Sequence, residues 1–221
     1  MTVLDLVALG WFVVVWGGYS LLVDRSRFGK RGLSAVMNGY RRHWMQTMLT
    51  RENRIVDAAI LTGLQNGTAF LASTALLAIG GSLAFFNAAD DAMALFEVLP
   101  FGRPLSRPDW EVRCLGLTII FVYAFFKFAW SLRLFNYASI ILGAVPHHES
   151  DKDAQALATR AGELIAIAGR HFNNGQRAFF FALGFLGWFV SSWLFMLSTA
   201  LVAVVLARRQ FLSNPLDAVR S

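Results

Sequence analysis

Four stretches of this chain stay mostly apolar for about 20 residues or more, the length a helix needs to cross a bilayer core. The first runs from Val3 to Val23 and is interrupted only by Asp5. The second, Gly67 to Phe86, carries no charge. The third starts near Cys114 and reaches Val145, with Lys127, Arg133 and Asn136 inside it. The last, Ala178 to Ala207, is again free of charge. Strands of a membrane barrel would alternate over about 10 residues, and these runs do not alternate. Lipid offers no partner to unpaired backbone groups, so helix is the predicted state. The pattern predicts an all-α integral membrane protein, a single membrane domain over 1–221 with four long transmembrane helices at about 3–23, 66–86, 114–142 and 180–207.

These helices outgrow the membrane. Ala178–Ala207 makes about 45 Å of helix at 1.5 Å per residue, against a bilayer core of about 30 Å. Upstream, the segment 151–177 reads as an amphipathic cytoplasmic helix, with Leu157, Ala161, Leu164, Ala168 and Phe172 on one stripe. Ser150 with Asp153 has the form of a capping box at its start. Before the second span, Ile55, Ala59, Gly63 and Gly67 recur at four-residue steps, a spacing at which small residues let helix backbones approach. Both lead-ins predict helical extensions on the cytoplasmic side. In the basic segment 24–54, Leu33, Met37, Tyr40, Trp44 and Met48 form an apolar stripe, with Arg41 and Arg42 off it. That helix either lies in the inner headgroup layer, with Arg41, Arg42 and Trp44 at the lipid interface, or packs on the extended helices. Segment 87–113, with Pro100, Gly102, Pro104 and Pro108, reads as an irregular outer loop.

Lysine and arginine counts set the orientation. Segment 24–54 holds eight and segment 146–177 four, against three in 87–113 and three after Ala207. The first two segments therefore belong in the cytoplasm, which places both termini outside it; the pair Arg208–Arg209 runs against the rule. The opening Met1-Thr2-Val3-Leu4-Asp5 has no basic region, and no small-residue cleavage site closes the first span. That span reads as retained rather than as a signal peptide.

Composition agrees with a membrane setting. The chain is 56% hydrophobic and 15% charged with mean hydropathy +0.51, whereas soluble domains run at roughly 45–50% and about 25%. A net charge of +6 and a pI near 10.1 would suggest nucleic acid in a soluble protein. Here a basic inner face against anionic lipid headgroups accounts for them, so lipids are the expected partners and nucleic acid is not. Seventeen Arg against three Lys points to a GC-rich bacterial genome and hence to the bacterial inner membrane.

Little catalytic chemistry is on view. One cysteine, Cys114, excludes an intramolecular disulfide and a cysteine-based metal cluster. The four histidines (His43, His147, His148 and His171) all lie outside the apolar spans, so a haem-bearing bundle with facing ligands is not expected. His147-His148-Glu149-Ser150-Asp151 offers metal-ligand types, but defines no fixed three- or four-ligand set and reads as a solvated turn. No phosphate-cradling loop, nucleophile elbow or zincin motif occurs. No cofactor, no metal and no enzymatic activity are expected.

The polar residues inside the spans need a reason, because an ionisable group in lipid is costly. Counted inward from Cys114, Lys127 lies about 20 Å down its helix and Arg133 about 28 Å. Arg133, Asn136 and Tyr137 share a face; Gln65 and Asn66 stand at similar depth, and Asn173, Asn174, Gln176 and Arg177 lie just below the last apolar run. An excess of cations and amides over carboxylates favours an anion pathway through Lys127, Arg133, Asn136, Arg177 and Asn66. Two alternatives remain: Lys127 and Arg133 snorkel to inner headgroups, or Arg133 pairs with Asp57 as a structural ion pair. Ser191 and Ser192 read as packing or back-bonded hydroxyls within the last span.

Three separated motifs carry a family resemblance. They are Arg51-Glu52-Asn53-Arg54-Ile55-Val56-Asp57-Ala58, Phe128-Ala129-Trp130-Ser131-Leu132-Arg133-Leu134-Phe135-Asn136-Tyr137, and Asn174-Gly175-Gln176-Arg177-Ala178-Phe179-Phe180-Phe181-Ala182. With them the chain resembles the uncharacterised family called domain of unknown function 599, over about residues 5 to 210. The resemblance implies an integral membrane protein of bacteria and plants with about four spans, and brings no activity or catalytic residue. The expected function is an oligomeric anion-conducting channel or carrier, with a homo-oligomer enclosing the path. The alternatives are an accessory or scaffold subunit bound to a membrane-protein partner and, behind both, a membrane enzyme acting on lipid through Asp57, Glu163 or His171.

Overall fold

Helix is the state of nearly every residue described by the structure, a computed structural model that covers residues 1–90, 106–146 and 152–220. α1 spans Val3–Arg25 and starts from a capping box, in which the Thr2 side chain accepts from the Asp5 backbone and Asp5 accepts from that of Thr2. α2 is Leu33–Met48 and α3 is Ile55–Asn87. α4, Arg107–Ala144, opens on the Ser106 side chain with Pro108 in its first turn. α5 is Lys152–Phe185, followed by a single turn, α6, at Gly187–Val190. α7, Ser192–Phe211, and α8, Asn214–Ala218, complete the chain. Four helices are long and apolar enough to cross a membrane: α1, α3, α4 and the one that begins at Ser192.

α3, α4 and α5 lie antiparallel in a row. Thr118 meets Ser82 at 2.8 Å and Gln65 donates to Asn136 at 2.9 Å along one seam. The other is marked by the Phe121–Phe179 rings, 5.8 Å apart, and by the Ser131 hydroxyl donating to the Ala168 carbonyl at 2.8 Å. Gly175 makes this second approach possible, since a Cβ there would stand 2.6 Å from the Phe128 ring. α7 packs on the far part of α5 and α2 lies along its first half; α1 packs on α7 and reaches α5 through side chains such as Phe12 on Phe181.

The last apolar run is not one helix. The chain reverses at 186–191, and α7 returns beside α5: a Cβ on Gly184 would lie 3.4 Å from the Thr199 backbone, and Arg209 sits 5.3 Å over the Phe180 ring. The expected span 180–207 is therefore two antiparallel pieces. Ser191 ends the reversal by accepting from the Leu194 amide at 3.1 Å, and Ser192 is drawn to Asp5, so neither is a back-bonded hydroxyl inside a span. Because of this turn the termini lie at opposite ends of the bundle, where the charge count expects one side for both. Met1 meets Asp109 at one end, while Arg220 donates to the Arg31 carbonyl and Tyr40 to that of Val219 at the other.

Length decides where the remaining chain goes. α1, at 23 residues, is about 35 Å long. α3, α4 and α5, at 33, 38 and 34 residues, reach about 50 Å or more. The ends of α1 and α4 are held together at Asp5 and Asp109, so the surplus projects at the other, basic end. Two cores result. One is aromatic and lies level with α1, where Phe12, Phe181, Phe185, Trp188 and Phe195 contact one another. The second fills the projection, with Ala154, Ala158, Ala161, Ile165 and Ala168 of α5 against Met45, Met48, Leu134 and Ala138.

Two smaller expectations change. The stripe Ile55, Ala59, Gly63, Gly67 is exposed, and α3 packs instead through Asp57, Leu61, Thr68, Ala72 and Ala75. Residues 107–113 belong to α4 rather than to a loop. The His147-His148 turn and most of segment 87–113 lie outside the described residues.

Candidate functional site

Asp57 is fully buried and accepts hydrogen bonds from Trp44 Nε1 at 2.6 Å and from Arg51. It does not pair with Arg133. Arg51 is only six positions away and enters from the α2–α3 connection, which claims the carboxylate first. Three residues on from Arg51, Arg54 donates to the Val145 and Pro146 carbonyls at 2.6 and 2.7 Å, holding the last turn of α4. The first family-like motif is thus a structural clamp joining α2, α3 and α4.

Each of the three residues expected at the lipid interface has a partner within the protein. Trp44 serves Asp57, Arg42 pairs with Glu163 at 2.5 Å, and Arg41 lies over Gly169 with Asn38 as its hydrogen-bond partner at 2.8 Å. α2 packs along α5. Burial lowers the pKa of the Arg41 guanidinium, which has no carboxylate within 4 Å among the described residues.

The five residues proposed for an anion pathway do not form one cluster. Asn66 is exposed, and Asn136 is spent on Gln65 along the α3–α4 seam. Lys127 and Arg133 do come together. With His171, Tyr123, Phe126 and Trp130 they line an open cavity of about 490 Å³ on the outer face of α4. The Lys127 ammonium stands 5.1 Å over the Tyr123 ring. Arg133 lies 5.5 Å over Tyr137 and donates to its hydroxyl at 2.6 Å. Neither cation has a carboxylate within 4 Å among the described residues. Desolvation and the charges of Lys127 and Arg170 lower the pKa of His171, whose Nδ1 is buried without a described partner.

Arg177 belongs to a different place. It is 7% exposed and grips Asp24 through both terminal nitrogens at 3.2 Å, with the Tyr19 ring 5.2 Å below. A cavity of about 400 Å³ opens there between the end of α1, the turn 26–32, α2 and α5. Gly29 shapes that turn: a Cβ would stand 2.0 Å from the Val23 carbonyl oxygen. Arg25, Lys30, Arg42 and Arg170 line the cavity with Arg177, and Asp24 contributes its one carboxylate.

The opposite end holds a hub that sequence reasoning passed over. Asp5, 5% exposed, accepts at Oδ1 from Ser192 at 2.7 Å, Trp188 Nε1 at 3.0 Å and Arg113 at 3.3 Å. Its Oδ2 accepts from Thr2, and Arg113 also donates to the Trp188 carbonyl at 2.5 Å. One carboxylate thereby ties α1 and α4 to the reversal before α7. The available signal was its isolation: a lone acid in an apolar span demands partners, and Arg113 stands immediately before the start of the third span.

The family model described as "Protein of unknown function, DUF599" matches residues 7–215, and the chain belongs to that family. No curated protein and no solved structure matches it.

Proposed function

We propose that this family member is an integral membrane protein that crosses the bilayer five times, assembles as a homo-oligomer and passes small anions between its subunits. The observation that carries the reading is the outer face of α4. Two cations without a carboxylate within 4 Å among the described residues, Lys127 and Arg133, share an open cavity there with aromatic rings. A neighbouring subunit's face would close this cavity, giving the cations and apolar constrictions that an anion-selective path uses. The aromatic core fills the protomer itself, so the path belongs between subunits about a shared axis.

Orientation follows from the reversal at 186–191. With α7 returning, Arg208, Arg209 and Arg220 join the segments 24–54 and 152–177 at one end of the bundle. Fifteen lysines and arginines then stand there, against three in segment 87–113. The positive-inside rule assigns that end, and the projecting second core, to the cytoplasm. The N-terminus is outside and the C-terminus inside.

The test is ion flux from liposomes containing the pure protein, chloride compared with potassium. Wild type is expected to conduct chloride, and Lys127→Ala and Arg133→Ala to lose that flux. Absence of flux from folded, correctly inserted protein, or flux untouched by both changes, overturns the reading. The filled interior favours a second reading, a non-catalytic accessory or scaffold subunit, for which a stoichiometric membrane partner would copurify. Lipid chemistry has the least support: Asp57 and Glu163 are each held by an arginine, and His171 stands apart from both.

A further inference from the structure

We propose that the hollow between the end of α1, the turn 26–32, α2 and α5 binds a phosphate group. It is separate from the α4 face and does not depend on conduction there. Depth is the first argument. α1 is about as long as a bilayer is thick, so Asp24 and Arg25, its last two residues, stand at headgroup level. Charge is the second. Arg25, Lys30 and Arg170 line the hollow with no carboxylate within 4 Å among the described residues, and Arg42 and Arg177 add two more cations. Asp24 is the one acid present, and both of its oxygens are turned to Arg177. Arginine forks and lysine are the side chains that recognise phosphate oxygens.

Shape is the third argument. A volume of about 400 Å³ lies within the range of built ligand sites, roughly 300–1,000 Å³. Ser34 and Asn173 form one wall, Asn173 Nδ2 donating to the Ser34 hydroxyl at 3.2 Å. The same wall and Arg177 border a second cavity of about 240 Å³ that holds Gln176, Arg209 and Gln210. There Gln210 Nε2 is buried without a hydrogen-bond acceptor among the described residues. Cations therefore outnumber carboxylates in the lining on both sides of the wall, as an anionic guest requires. A phosphate can arrive as the headgroup of an anionic phospholipid or as a soluble phosphate, and the two are separable by experiment.

Full-length protein in mild detergent would be examined by native mass spectrometry with phosphatidylglycerol and with phosphatidylcholine, and by calorimetric titration with inorganic phosphate. Lys30→Ala and Arg170→Ala remove exposed cations of the hollow, and Arg208→Ala serves as an exposed control at the same end. Melting temperature verifies the fold of each variant, and either of the two suffices for the comparison. Wild type is expected to retain phosphatidylglycerol in preference to phosphatidylcholine. Each hollow variant is expected to weaken that binding about fivefold, the worth of one cation near a charged surface, and the control to leave it unchanged. Inorganic phosphate that binds and is weakened by the same variants identifies the soluble source; phosphatidylglycerol alone behaving so identifies the lipid. Failure of both ligands to bind, or binding that the control weakens as much as the hollow variants do, overturns the proposal.

Discussion

Replacing Asp5 with asparagine probes the joint that ties α1 and α4 to the reversal before α7. The substitution preserves size and one acceptor oxygen, so Ser192 and Trp188 retain a partner while Arg113 loses its counter-ion. Asp5 and Arg113 are each about 5% exposed, and the remaining acceptor for the guanidinium is the Trp188 carbonyl. Leaving one charge of a buried pair uncompensated costs about 3–5 kcal/mol. In a chain of this size about 1 kcal/mol moves the melting midpoint by roughly 2–4 °C, which predicts a fall of about 6 °C or more in mild detergent. Arg113→Met is expected to cost less, because Asp5 keeps three other residues as donors. The double variant should lose less than the sum of the two single losses, since the unpaired cation is then absent. Asp5→Asn melting within about 2 °C of wild type, or strict additivity in the cycle, would refute the argument that Arg113 depends on Asp5.

Two further expectations concern the other end. With Cys114→Ala as background, Arg220→Cys and Arg51→Cys should react with a membrane-impermeant maleimide from the same side, in inside-out vesicles; labelling of Arg220→Cys from the opposite side would refute the reversal at 186–191. His171 gives a pH dependence. Its pKa is lowered below the usual 6.5 by burial and by neighbouring cations, so the unfolded chain takes up the proton first as pH falls. The associated stability is fully present above about pH 6.5 and is lost on acidification. Wild type should lose more melting temperature between pH 8 and pH 5.5 than His171→Gln, and parallel curves would count against this.

Period and length made most of the helices legible. Apolar runs of span length cannot hide, and Gly67–Phe86 falls inside α3 as expected. The reversal escaped because hydropathy reports what surrounds a segment, not its direction. Leu186–Ser191 contains no proline and no charge, and its turn is stabilised from a distance, by Asp5 on α1 reaching Trp188 and Ser192. The Asp57–Arg133 pair failed for a related reason. Helical depth placed the two residues loosely, while the side chain of Arg51, close in sequence, reached the carboxylate first.

The reversal also explains a discrepancy in the charges. Under a single thirty-residue span, Arg208 and Arg209 fall on the side where basic residues are scarce. Folding α7 back carries them to the end that already holds the basic segments, with Arg209 over Phe180 and Gln210 bound by Ser34. The same turn brings the third family-like motif into use from both sides. Gly175 admits the Phe128 ring of α4, while Gln176 and Arg177 face the cavity that α7 closes with Arg209. A helix that simply left the membrane after Ala207 would leave that cavity without its fourth wall. The cavity that holds Gln176 and Arg209 is therefore a consequence of the turn at 186–191, whereas the hollow lined by Arg25, Lys30 and Arg170 draws no residue from α7; maleimide labelling tests the topology and ligand binding tests the phosphate site independently of it.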